Sequence, residues 1–179
     1  MDSAMFGLTT VQTARLLLRR VEEQDQPFIR QLDANVDVMR AGHVRSSEES
    51  DARTSMHVQH WNQHGFGVWT ALDRVTLAYV GTGGLRHIEL EQQEVVQVGY
   101  RFLPSVWGQG LATELATAAV HAAFNALGLL RLVAVARPTN TASRRVLEKV
   151  GFVYARDVLY EQLPHVLYEQ HDPRKTPHV

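Results

Sequence analysis

Cysteine is absent from the 179-residue chain, which excludes disulfides, thiolate metal sites and a cysteine nucleophile, and which suits the cytoplasm. No stretch approaches the roughly 20 apolar residues that a membrane span requires. The first ten residues have neither a basic start nor a long apolar run, so no secretory signal is expected. An excess of one charge is missing too: 18 basic residues stand against 19 acidic ones with no dense Lys/Arg run. Nothing in that balance attracts nucleic acid or anionic lipid, so neither is an expected partner. Internal repeats, low-complexity tracts and linkers are also lacking. What remains is the size of one domain with one core, expected over residues 1–179 with a core at about 13–170 and loose termini.

Within that domain, TARLLLRRV at 13–21 alternates as a strand. Asp25 can cap a short helix that has Pro27 in its first turn and Phe28, Ile29 and Leu32 on its apolar face. A second helix starts at Ser46 or Ser47, carries Thr54, Val58 and Trp61, and stops at Gly65. Residues 66–72, 76–88 and 95–103 are rich in β-branched and aromatic side chains and read as an antiparallel meander. The strongest helical pattern follows Pro104, with Leu111, Leu115, Ala118, Ala119, Ala122 and Ala126 on one face and Gly128 as its stop. So much alanine implies close packing on a sheet. Residues 131–136 read as a buried strand beside the meander. A helix through Ala142, Val146, Leu147 and Val150 follows, closed by Gly151, and strands at 152–159 and 165–170 joined through Pro164 complete an α+β domain.

Two segments carry chemistry. In VGYRFLPSVWGQGLATE, residues 98–114, a strand passes through a proline and two glycines into the alanine-rich helix. The first amides of a helix have no internal partner and sit at the positive end of its dipole, so a phosphate can accept several hydrogen bonds there. Gly108 and Gly110 let that backbone approach a ligand, although on their own they would equally make a tight turn. In ARPTNTASRRVLEKVGF, residues 136–152, Asn140 opens a helix and Ser143 and Leu147 share a face. On the residues alone, Asn140 is an N-cap and Ser143 an ordinary first-turn serine.

Together these segments closely resemble the GNAT superfamily, in the branch that contains the N-terminal acetyltransferases of ribosomal proteins and many small-molecule amine acetyltransferases. The family signature of Arg or Gln, two residues, Gly, one residue, then Gly or Ala falls on Trp107, Gly108, Gln109, Gly110, Leu111 and Ala112, with Trp107 departing at the first position. The resemblance implies the GNAT fold, a mixed, mostly antiparallel sheet of about seven strands flanked by about four helices. It implies acetyl-CoA as acyl donor, no metal, and a primary amine of a small molecule or a protein N-terminus as acceptor, with a homodimer compatible. It assigns the pyrophosphate to Gly108, Gln109, Gly110, Leu111, Ala112 and Thr113, the pantetheine arm to the backbone edge of Phe102 and Leu103, and a bond near the thioester to Asn140. Many relatives carry a tyrosine on the second helix that protonates the departing thiolate. The matching residue here is Leu147, which leaves Ser143 as the nominated acid. Several relatives also place a glutamate where this chain has Gln97, so the base would come from Glu94, His87, Glu114 or Glu161, each of which reads equally as a surface group.

His57, His60 and His64 recur at helical steps, but without an acidic third partner they are expected to form a solvated face. Trp61, Phe66 and Trp69 are expected in the core, with an acceptor pocket as the other reading. Two rival functions stand beside acetyl transfer. One is a sensor that binds acetyl-CoA without turnover. The other is an NADP-dependent oxidoreductase, which the missing third glycine at Thr113 and the preceding meander oppose. The lack of an acidic cluster disfavours a strongly polycationic acceptor.

Overall fold

A computed structural model describes residues 7–40 and 43–175. Its strands are β1 (Thr10–Gln12), β2 (Leu16–Arg20), β3 (Val68–Asp73), β4 (Tyr79–Leu90), β5 (Gln93–Phe102), β6 (Arg131–Ala136), β7 (Val153–Tyr160) and β8 (Leu163–His171). The helices are α1 (Gln26–Asp33), α2 (Ser47–His64), α3 (Leu111–His121) and α4 (Thr141–Val150). One sheet of eight strands runs in the order β1-β2-β3-β4-β5-β6-β8-β7, antiparallel throughout except where β5 meets β6. This is the mixed, mostly antiparallel sheet with four flanking helices that was expected, with one strand more. It is not the doubly wound parallel sheet of a dinucleotide-binding oxidoreductase. No helix among the described residues is long and apolar enough to cross a membrane.

The extra strand is β1, three residues that pair with β2. It was missed because the Thr13 N–H donates to the Leu16 carbonyl at 2.9 Å, turning the chain inside the segment read as one strand. The last hairpin also differs. Its turn is at Glu161 and Gln162, with φ of 50° and 61°, and Pro164 lies inside β8 opposite Leu159. Non-glycine residues at positive φ are not what a turn motif advertises.

Asp25 does not cap α1 with its side chain. It is fully buried and accepts from Arg19, Thr70 and Tyr79, tying β2, β3 and β4 together. Burial alone would push its carboxyl up, but Arg19, the Glu22 amide and Thr70 hold it below the ordinary carboxylate range. α2 keeps the ends its sequence announces: Ser46 Oγ accepts from the Glu49 N–H, Glu49 accepts from the Ser46 N–H, and Gly65 closes it at φ 71°. Such a capping box is worth about 1 kcal/mol.

α3 buries Leu115, Ala116 and Ala119 on the sheet. A Cβ on Gly83 of β4 would come within 2.8 Å of Leu115 Cδ2 and 2.6 Å of the Gly99 carbonyl, so only glycine lets helix and strands approach this closely. That approach sets the N-terminus of α3 beside β5, where the candidate site lies.

Candidate functional site

β5 and β6 are joined at one register position, Gln97 with Val133, and then diverge. The Leu103 N–H donates to the Val80 carbonyl. Bonding alternates along an antiparallel ladder, so Tyr100 and Phe102 turn their backbone groups away from β4 and toward the opening. The Leu103 carbonyl is used as well, accepting from Val106, and the Phe102 carbonyl accepts the Trp107 indole N–H at 2.8 Å. The free edge therefore lies at Tyr100 and the Phe102 N–H, one step back from Leu103. Trp107, the departure from the family signature, pins the following loop to the end of β5.

That loop turns at Gly108 and Gly110, both left-handed at φ 76° and 80°. Gly110 is the N-cap of α3, and no side chain caps the helix. Glu114 makes the first return bond, to the Gly110 carbonyl, so the Leu111, Ala112 and Thr113 amides have no partner inside the helix. Behind the loop, Arg15 holds the Gln109 carbonyl and bonds the Glu114 carboxylate, which also accepts from Thr13. Burial would raise the Glu114 pKa, but Thr13 and Arg15 hold it below the ordinary range. Committed in this way, Glu114 is no free base.

A cavity of about 680 Å³ extends from the loop into the opening between β5 and β6. Of the residues nominated from sequence, Phe102, Gly108, Gly110, Leu111, Ala112, Thr113, Asn140 and Ser143 line it, whereas Leu103 and Gln109 do not. Asn140 Oδ1 does cap α4, accepting from the Ser143 N–H at 3.1 Å, and its Nδ2 has no protein partner among the described residues. Ser143 Oγ lies 3.2 Å from the Tyr100 hydroxyl, which is 3.1 Å from the Ser143 carbonyl. Burial pushes the Tyr100 phenol up to about 12, so it stays protonated at neutral pH. This partnership spans 43 residues, and no local spacing announces it.

The far wall of the cavity is basic. Arg45, Arg53, Arg86 and Arg101 line it with His57 and Gln97. Gln97 is buried, and its side-chain oxygen accepts from Arg86 at 3.0 Å. Of the remaining base candidates, Glu161 is exposed and lines the cavity, while Glu94 is exposed outside it.

Of the three helical histidines only His64 keeps the solvated position that was expected. His57 is buried in the cavity wall, while His60 and His64 meet His87 from β4, with their ring nitrogens within 4.8 Å of one another. His60 bonds the Phe66 carbonyl at 2.9 Å and lies 3.1 Å from His87 Nδ1. Trp61, Phe66 and Trp69 are buried in the core, and none lines the cavity.

Burial, then the neighbouring Arg53 and Arg86, holds His57 well below its ordinary 6.5; burial also lowers His60 and His87. The unfolded chain therefore binds these protons more readily than the folded one, and stability should be lost as pH falls below 6.5. Urea denaturation between pH 7 and 5 should show a falling midpoint, with a shallower slope in His57→Gln. An unchanged midpoint over that range would mean that the imidazoles are not held neutral.

Comparisons with known proteins agree with this geometry. A family model described as the Acetyltransferase (GNAT) domain matches residues 15–153. The Bacillus subtilis protein YkkB is 34% identical over 93% of this chain and 98% of its own length. The spermidine N(1)-acetyltransferase of Escherichia coli strain K12 is 25% identical over 80% of this chain and 76% of its own length. A solved structure of RimL, the ribosomal L7/L12 alpha-N-protein acetyltransferase in complex with coenzyme A, superimposes with a TM-score of 0.75 at 19% identity, covering 90% of this chain and 97% of that one.

Proposed function

The chain belongs to the GNAT acetyltransferase family of acetyl-CoA-dependent acyltransferases, and we propose that it transfers the acetyl group to a primary amine, of a small molecule or a protein N-terminus, by direct attack. The observation that carries this reading is the uncapped, glycine-flanked N-terminus of α3 facing the same cavity as the open edge of β5. A Cβ placed on Gly108 meets nothing within 4 Å, which leaves room for a ligand against the loop backbone.

The Leu111, Ala112 and Thr113 amides would hold the pyrophosphate, with Arg145 and Lys149, one turn apart on α4, lining the cavity nearby. The free N–H groups of Tyr100 and Phe102 would align the pantetheine arm, and one of them would polarise the thioester carbonyl. Acetyl-CoA, when bound, supplies the activated acyl group. As the amine nitrogen bonds to the acyl carbon and the C–S bond breaks, Ser143, positioned by Tyr100, would give the departing sulfur its proton and take one back from solvent. The amine proton would leave through solvent toward the Glu161 carboxylate. Gln97 cannot take it, being a neutral amide already bonded to Arg86.

A thiol-reactive dye tests the reading. Free coenzyme A should accumulate from acetyl-CoA only when an amine is added. Acetyl-CoA binding without release across a broad amine panel would identify a sensor instead.

A further inference from the structure

We propose that the acceptor carries a carboxylate or phosphate group beside its amine, and that Arg53 and Arg86 hold this anion in the basic wall of the cavity. The inference rests on the acetyl-transfer reading and names the substrate class for the same site.

Four guanidiniums, from α2, β4, β5 and the segment before α2, line that wall. The fully buried Asp33 offsets part of their charge. It accepts from Arg101 and from the Ser50 hydroxyl, and its carboxylate lies 3.8 Å from Arg45. Among the described residues, Arg86 bonds only neutral oxygens, the Gln97 amide at 3.0 Å and the Tyr160 hydroxyl at 3.2 Å. Arg53 has no hydrogen bond among the described residues, and its Nε is buried without a partner. The other carboxylates that line the cavity do not repair this: Asp37 is bonded to Arg40, and Glu161 sits exposed at the hairpin turn.

A buried polar group left unbonded is costly, and a buried charge left unpaired costs more. Burial, with Arg101, Arg86 and Arg45 nearby, pushes Arg53 down to about 9, the direction expected of a cation held among cations. An oxyanion entering this wall would pair with the unbonded Arg53 guanidinium, whose planar fork suits a carboxylate or phosphate edge. The nucleotide phosphates would already have donors elsewhere in the cavity lining, at the α3 N-terminus and on α4. The arginine wall, carried on α2 and β4, is left for the acceptor. The same wall would repel a polyamine, so this chain should differ from its spermidine-acetylating relative.

The test compares matched acceptors at saturating acetyl-CoA: L-alanine and glycine against their α-amides, O-phosphoserine amide against serine amide, and spermidine. The anionic member of at least one pair should show a kcat/KM at least 100-fold above its neutral partner, and the pair that responds distinguishes carboxylate from phosphate. Arg53→Met should raise KM for that acceptor at least tenfold, leave the acetyl-CoA Kd unchanged, and be partly rescued by Arg53→Lys. Equal rates within every pair, a preference for spermidine, or an unaltered KM in a folded Arg53→Met would overturn the proposal. Should acetyl-CoA bind but no amine turn over, the transferase reading fails separately. The anion site is then tested by titrating N-acetylglutamate and phosphoserine into the coenzyme A-saturated protein. Binding lost in Arg53→Met supports the assignment, and binding that is absent or unaffected by the substitution overturns it.

Discussion

Replacing Gly110 with valine should weaken acetyl-CoA binding tenfold or more while the chain still folds. Gly110 sits at φ 80°, in the left-handed region, where a side chain costs about 1–2 kcal/mol and a β-branched one more. A new Cβ would also lie 3.5 Å from Arg15 Nη2, on the guanidinium that holds the Gln109 carbonyl. Valine would relieve the backbone strain by moving the loop, and the Leu111, Ala112 and Thr113 amides would lose their common aim. Misaligning donors worth about 1.4 kcal/mol in total is already a tenfold change in Kd. Gly128, also left-handed at φ 66° but outside the cavity lining, is the control: Gly128→Ala should lower the melting temperature without changing affinity. Calorimetry on both variants separates the effects. A folded Gly110→Val with unchanged affinity would remove the loop from the binding site.

Ser143→Ala should lower kcat about 100-fold, the lower end of what a positioned acid contributes, and leave the acetyl-CoA Kd unchanged. Ser143 reaches the cavity from the first turn of α4, and the Tyr100 hydroxyl stands at hydrogen-bonding distance from both its Oγ and its carbonyl. Tyr100→Phe removes this positioning contact but keeps the serine hydroxyl, so its kcat should fall less. The order of the two losses separates the donor from its support. Equal losses would assign the proton to the pair as a unit, and an unchanged kcat in Ser143→Ala would eliminate it as the acid.

Local rules recovered the elements whose signals are local. The strand at Arg131–Ala136 appears with the expected ends because turn residues bound a short apolar run. α2 starts and stops at its capping serine and glycine. The helix after Pro104 is regular only from Leu111 to His121. Before it, Pro104–Val106 forms a tight 3-10 turn and the two glycines reverse the chain; after it, the helix widens into a π-helical stretch at Ala122–Ala126. Where two elements compete for one residue, sequence alone misleads: Asp25 has a good capping position, yet Arg19, Thr70 and Tyr79 draw its carboxylate into the core.

The same distinction divides the site. The glycine loop and the Asn140 turn are contiguous motifs: helix-end physics marked the loop as a candidate anion site, and the family resemblance, which reads such contiguous runs, assigned both to the cofactor. The Tyr100 and Ser143 pairing and the arginine wall join residues from separate elements. Arg53 on α2 and Arg86 on β4 look like ordinary surface charges until the fold turns both into one cavity. His57 was misassigned for the same reason. It shares a helical spacing with His60, but the sheet buries one beside the arginines and leaves the other against His87.

Calorimetric titration with acetyl-CoA, with NADPH as the control nucleotide, tests most directly whether the opening between β5 and β6 and the loop at Gly108 and Gly110 form an acyl-donor site. Saturable binding of one acetyl-CoA per chain, weakened tenfold or more in Gly110→Val and absent for NADPH, is the expected result. Failure of acetyl-CoA to bind, or saturable binding of NADPH in its place, would contradict it.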